Sequence, residues 1–155
     1  MSKPKGLLCG HLNIQREAIS KCDQIGQLVT ESNIDVLGLS ETNLKDSSPT
    51  AAVTVRGYNI FRQDRIDQQG GGVLVYVKNH IKCTRLPVPN EIDLECVCLN
   101  IFLSPQMSFV LINIYRPPLS KVVWYDKFAA LLTHFADGNN EIIVNGDVNV
   151  NWNKS

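Results

Sequence analysis

The stretch EIIVNGDVNVNWNKS, residues 141–155, runs from an apolar triplet, Ile142-Ile143-Val144, into Asn145-Gly146-Asp147-Val148-Asn149. A short apolar run bounded by polar residues reads as a buried strand. This one delivers an Asp and an Asn, two positions apart, to its own exit. Two readings are open: Asn-Gly-Asp is ordinary turn chemistry, or the pair is half of an active site. How the other strands end decides between them.

Working outward, apolar periodicity alternates between strand and helix. LLCGHLNI (7–14) reads as a strand, and Ile19, Cys22, Ile25, Leu28 and Val29 follow at the spacing of an amphipathic helix lying on a sheet. DVLGLSE (35–41) is a buried strand closing on a carboxylate. YNIFRQ (58–63) and GVLVYV (72–77) flank a turn region holding Gly70-Gly71-Gly72, which fits a hairpin better than a phosphate cradle because no Gly-Lys-Ser/Thr follows. LECVCLNIFL (94–103) and FVLINIY (109–115) predict an antiparallel pair joined by SPQMS, with Pro105 in the connection. Trp124, Phe128, Leu131, Leu132 and Phe135 form a helical stripe within residues 121–136, and DGNN ends it with a C-cap glycine signal. The order predicts an α/β fold, with sheets packed face to face and helices outside.

Several of these strands are apolar for most of their length and then end in a chemically capable side chain. Asn13 ends the first, Glu41 the second, Tyr115 the hairpin strand just before Arg116, and Asp147 with Asn149 the last. Brought to one edge of a sandwich, they make a polar pocket of two carboxylates, amides and a phenol. Mg²⁺ suits that set, since it takes hard oxygen ligands, keeps several waters and needs only one or two carboxylates. Each residue alone also has a plain structural reading: Asn13 as a helix cap, Glu41 in a surface loop, Tyr115 as packing.

Composition narrows the partners. At 155 residues and 44% hydrophobic, the chain can bury one substantial core, so a single domain over 1–155 is expected. Basic and acidic residues balance at 15 each, so a nucleic-acid partner must be argued from local charge. Arg56, Arg62, Arg65, Lys78, Lys82 and Arg85 stand against Asp64 and Asp67, and Lys3, Lys5 and Arg16 have no acid among the first sixteen residues. A solvated face explains the same charges. The five cysteines, without C-x-x-C spacing, read as free thiols in a reducing setting, Cys96 and Cys98 sharing one strand face. The first residues lack the apolar stretch of a signal peptide, and no apolar run reaches the ~20 residues of a membrane span, so the expected location is intracellular, nucleus or cytoplasm.

HLNI, DVLGLSET, GYNIFRQDR followed by GGGVLVYV, INIYRPP and VNGDVNVNW, in this order and spacing, resemble the endonuclease/exonuclease/phosphatase superfamily. More narrowly, they are similar to the endonuclease domain encoded by LINE-type (non-LTR) retrotransposons. The resemblance implies a four-layer α/β/β/α sandwich and a phosphodiesterase, dependent on Mg²⁺ (or Mn²⁺), that nicks DNA. It implies that Glu41 holds the metal with Asn13, that Tyr115, Asn149 and Arg116 contact the phosphate, and that Asp147 orients or deprotonates the attacking water. No further small-molecule cofactor is implied.

Departures accompany the match. Val148 stands where the family usually has Phe, Asn43 where it usually has Trp, and the family's Ser-Asp-His motif is absent, with His11, His80 and His134 all lying elsewhere. The expectation is a partial domain lacking its C-terminal strands, catalytically incomplete as it stands and self-associating through exposed sheet edges. A non-catalytic nucleic-acid-binding or interaction remnant, and a phosphatase of the same superfamily, remain open as alternatives.

Overall fold

The computed structural model describes residues 6–66, 69–138 and 140–150, so Lys3, Lys5, Asp67, Asn139 and the last five residues of the opening stretch lie outside it. Eight strands form two mixed four-stranded sheets. In the first, β1 (Cys9–Asn13) pairs parallel with β2 (Val36–Ser40), which pairs antiparallel with β4 (Val73–Lys78), and β3 (Tyr58–Gln63) completes the order β1-β2-β4-β3. In the second, β5 (Cys83–Arg85), β6 (Glu95–Ser104), β7 (Met107–Tyr115) and β8 (Glu141–Asp147) lie in sequence order, the last pair parallel. Helix α1 (Cys22–Glu31) covers the outer face of the first sheet and α2 (Val123–Ala136) that of the second.

The central strands are apolar on both faces because both faces are covered. Leu37, Leu39, Leu74 and Tyr76 point outward and pack with Ile25 and Val29 of α1. Their neighbours Val36, Val73, Val75 and Val77 point inward and meet Val97, Leu99, Ile101 and Leu111 between the sheets. Cys96, Cys98, Val110, Ile112 and Ile114 meet Trp124, Leu131 and Phe135 under α2. Three apolar layers separate four layers of structure, the predicted α/β/β/α sandwich.

Polar side chains also cross between the sheets. Asn113 on β7 is fully buried, and its Nδ2 donates to the carbonyls of Leu39 (3.1 Å) and Leu74 (3.3 Å) in the opposite sheet. Asn145 on β8 donates to the Gly10 carbonyl at 2.9 Å. Gly38 makes room for both, since a Cβ there would stand 2.1 Å from Asn113 Oδ1 and 2.9 Å from Asn145 Nδ2.

Several sequence expectations shift. The first helix starts at Cys22, leaving Ile19 half exposed before it, and Leu28 sits on its outer flank. The SPQMS connection shrinks to a turn at Pro105 and Gln106, because Ser104 already pairs with Met107. The three-residue β5 was not anticipated; it is too short to carry a period. EIIVNGD is a strand over the predicted seven residues, Gly146 pairing with Ile114, whose carbonyl oxygen lies 1.9 Å from where a Cβ would be, but it is not buried: at the sheet edge it leaves Ile143 and Val144 exposed. No helix among the described residues is long and apolar enough to cross a membrane.

The crossing amides make a testable pair. Gly38→Ala is expected to destabilise by about 1–3 kcal/mol through overpacking against Asn113. In a denaturant double-mutant cycle, Gly38→Ala combined with Asn113→Ala should cost less than the sum of the two single changes. Strict additivity would show that the two residues do not share this space.

Candidate active site

Because β1 and β2 are parallel, as are β7 and β8, these four strands deliver their C-terminal ends to one pole of the sandwich. Asn13, Glu41, Tyr115 and Asp147 meet there. Asn13 Nδ2 donates to Glu41 Oε1 and to Asp147 Oδ2, both at 2.9 Å, and the Tyr115 hydroxyl donates to the same Glu41 oxygen at 2.9 Å. Residues up to 134 positions apart thus form one hydrogen-bonded cluster.

Local backbone geometry aims these groups. Asn13 Oδ1 accepts from the Gln15 amide and Asp147 Oδ1 from the Asn149 amide, both at 3.0 Å, so each side chain caps its own exit turn. Non-glycine residues with positive φ gather at this pole: Gln15 (52°), Arg16 (69°), Glu41 (55°), Asn43 (55°) and Asn149 (44°). Such conformations cost about 1–3 kcal/mol each and persist where surrounding contacts over-determine them. Around Glu41 those contacts are backbone hydrogen bonds: Arg16 N to Glu41 O (2.7 Å), Thr42 N to Gly72 O (3.3 Å) and Asn43 N to Gly71 O (2.9 Å).

Tyr115 is buried, and burial together with the Glu41 carboxylate pushes its phenol well above the ordinary value, so it stays a neutral donor. His11, two residues before Asn13 on β1, has its Nε2 buried without a protein partner. Burial lowers its pKa, and the nearby Asp147 charge works the other way.

Arg116 is largely shielded from solvent. It is 8% exposed, and its guanidinium donates to the carbonyls of Val148 (3.3 Å), Asn149 (3.0 Å) and Ser120 (3.1 Å) while lying 4.9 Å from the Tyr125 ring centroid and 5.6 Å from that of Trp124. Those contacts direct it inward, onto the segment carrying Asp147 and Asn149. Asn149 completes the contact from the other side, its Nδ2 donating to the Arg116 carbonyl at 2.6 Å.

A hard divalent cation fits this donor set. Two carboxylate oxygens already converge on one point, where the Asn13 amide nitrogen bridges them. Among the described residues no group of three or more His, Cys, Asp or Glu side chains gathers, but Mg²⁺ needs only one or two carboxylates.

Residues 12–155 match the Endonuclease/Exonuclease/phosphatase family. The chain belongs to that family. Solved structures of similar fold include an AP endonuclease from Archaeoglobus fulgidus (TM-score 0.65, 17% identity, 94% of this chain and 58% of that one). Others are the AP endonuclease LMAP from Leishmania major (0.64, 20%, 92% and 54%) and the 3′ phosphatase NExo from Neisseria bound to a product DNA hairpin (0.64, 18%, 94% and 58%). The chain therefore spans little more than half the length of these family structures. No curated protein sequence matches it.

Two groups beside the site escaped the sequence reading. Arg65 lies in the quoted QDR, but its place over the Tyr115 ring, 6.0 Å from the centroid, follows only from the fold. Glu95 pairs with Tyr115 across the β6–β7 ladder, a register that no local pattern announces.

The raised phenol gives a pH prediction. Tyr115 has a folded pKa above the unfolded value of ~10, so its contribution to stability is complete below that pH and fades as pH rises beyond it. Ultraviolet titration of wild type minus Tyr115→Phe should place this phenol's ionisation above that of a free tyrosine. The variant should also lose less stability than wild type above pH ~10. Ionisation of Tyr115 at the ordinary value would mean that its bond to Glu41 is absent in solution.

Proposed function

We propose that residues 1–155 are part of a DNA-nicking phosphodiesterase domain of the LINE retrotransposon type, its chemistry centred on Glu41 and Asp147. The observation that carries this reading is the single cluster of Asn13, Glu41, Tyr115 and Asp147, assembled from four strand ends. The Ile-Tyr-Arg-Pro-Pro stretch and the glycine run after Arg65 favour the retrotransposon branch.

In this reading Glu41, with Asn13 beside it, holds Mg²⁺ or Mn²⁺, which when bound neutralises charge on the phosphate. Tyr115, kept neutral, exchanges its bond to Glu41 for one to a phosphate oxygen, and Asn149 donates to another, where positioned donors act on charge as it develops. Asp147 orients the attacking water and accepts its proton. Arg116 holds Asp147 and Asn149 in register with Tyr115 from within. DNA as partner rests on this chemistry and on the DNA hairpin bound by the fold relative NExo. The same relative is a phosphatase, which keeps a phosphomonoester substrate as the second reading. Self-association belongs to the proposal as well, through the β8 edge, where Ile143 and Val144 stand exposed. The free cysteines fit an intracellular setting, nucleus or cytoplasm.

Residues 1–155 contain no Ser-Asp-His. Acid–base groups of that kind contribute ~10²- to 10⁴-fold, so supercoiled plasmid should be nicked at background rate by this chain. Metal-dependent nicking that disappears in Asp147→Ala would show that the site is already complete. Calorimetric titration should find Mg²⁺ or Mn²⁺ binding in wild type and at least a tenfold loss in Glu41→Gln, a change of about 1.4 kcal/mol. Equal binding by both proteins would remove Glu41 from the metal and sink the reading.

A further inference from the structure

We propose that Arg65 and Arg16 form a two-cation clamp for backbone phosphates beside the one at Glu41, and that Gly70 and Gly71 are the rack that seats both guanidinium groups. The inference rests on the reading of this site as one that processes phosphodiesters, and it assigns residues that reading does not use.

The rack is visible in what a side chain would meet. A Cβ on Gly71 (φ 66°) would stand 2.4 Å from Arg65 Cζ and 2.5 Å from its Nε and Nη2. A Cβ on Gly70 (φ 83°) would stand 3.0 Å from Arg16 Nε. The positive φ angles and the absent side chains therefore let two guanidinium groups lie directly on the loop. The loop is tied to the strand end that carries the site. Gly70 N donates to Asn43 Oδ1 (2.9 Å), Asn43 N to Gly71 O (2.9 Å) and Thr42 N to Gly72 O (3.3 Å). Arg16 N in turn donates to Glu41 O at 2.7 Å. Both arginines are thus fixed relative to Glu41 through backbone contacts, the arrangement a phosphate contact needs if it is to set register.

Arg65 also opens onto space. It lines a cleft of about 420 Å³ with Gln63, Ile66, Glu95 and Pro117, and the two further acids of that lining, Asp64 and Asp93, are paired with Arg62 and Lys127. Its Nε pairs with Glu95 Oε1, and among the described residues that is its one hydrogen bond. The terminal nitrogens keep the planar fork that matches two phosphate oxygens. Glu95 Oε2 accepts from Gly72 N at 3.2 Å, so the same carboxylate anchors the rack and holds the arginine in place without substrate.

An Arg–Glu pair serving only stability predicts something different, because loss of either partner would then have one sign. In the clamp, Glu95 competes with phosphate for Arg65, so the two substitutions act in opposite directions on DNA affinity. Fluorescence anisotropy of a short dye-labelled DNA duplex, in Mg²⁺-free buffer over a NaCl series, reads both. Arg65→Gln and Arg16→Gln should each flatten the log K against log[salt] line by about 0.9, one phosphate contact apiece, and together by about twice that. Arg65→Lys should keep the slope with weaker binding, and Glu95→Gln should bind more tightly at low salt. Arg56→Gln, exposed before β3, serves as the surface-charge control with an unchanged slope. Thermal melts confirm that each variant is folded before it is scored. Salt-dependent binding by wild type with an unchanged slope in Arg65→Gln would overturn the clamp and leave the functional reading standing, as would equal weakening by Arg65→Gln and Glu95→Gln. Wild type without any salt-dependent DNA binding would overturn that reading and the clamp with it.

Discussion

The crossing of Asn113 from one sheet to the other is the constraint on which the rest depends. Apolar side chains between two sheets resist separation, but they hold relative position weakly, because valine against leucine tolerates a slide. A buried amide does not tolerate one: a slide would strip its Nδ2 of the hydrogen bonds to Leu39 and Leu74, at a cost of about 1–3 kcal/mol. With Asn145 bonded to Gly10 as a second point, the two sheets have one mutual position. At that position the end of β7 lies over the ends of β1 and β2, and Tyr115 reaches Glu41.

What assembles there is unbalanced by design of the topology. Two carboxylates share one amide donor, and two guanidinium groups near the site have other partners, Arg65 with Glu95 and Arg116 with main-chain carbonyls. The left-handed backbone at Glu41 and Asn149 adds local strain beside that concentration of negative charge. In the proposed reading a divalent cation would relieve the charge, while the loop and strand contacts already hold the strained backbone. Arg116 illustrates the distinction between holding and touching. Its cation lies on aromatic rings and grips three carbonyls, two of them in the segment that carries Asp147 and Asn149.

Much of this was legible in the chain itself. YNIFRQ is a strand over the same six residues in sequence and structure, since turn residues bound it on both sides. The recurrence of a polar residue at successive strand ends located Asn13, Glu41, Tyr115 and Asp147 together. Other features were hidden for physical reasons. The apolar triplet of β8 reads as buried, and only its edge position beside β7 shows why Ile143 and Val144 stand exposed. Arg116, expected at the phosphate, also meets Trp124 and Tyr125, neighbours that only the packing of α2 supplies. Arg65 and Glu95 are 30 residues apart, and their meeting is a product of sheet packing.

The central claim is that four strand ends distant in sequence make one cation site, and paramagnetic relaxation tests it most directly. Substoichiometric Mn²⁺ added to isotope-labelled protein should broaden the amide signals of Asn13, Glu41, Tyr115 and Asp147 together, leaving those of His80 and Ser104 at the opposite pole sharp. Broadening confined to one of these strands, or spread over surface carboxylates such as Glu91 and Asp126, would contradict the account.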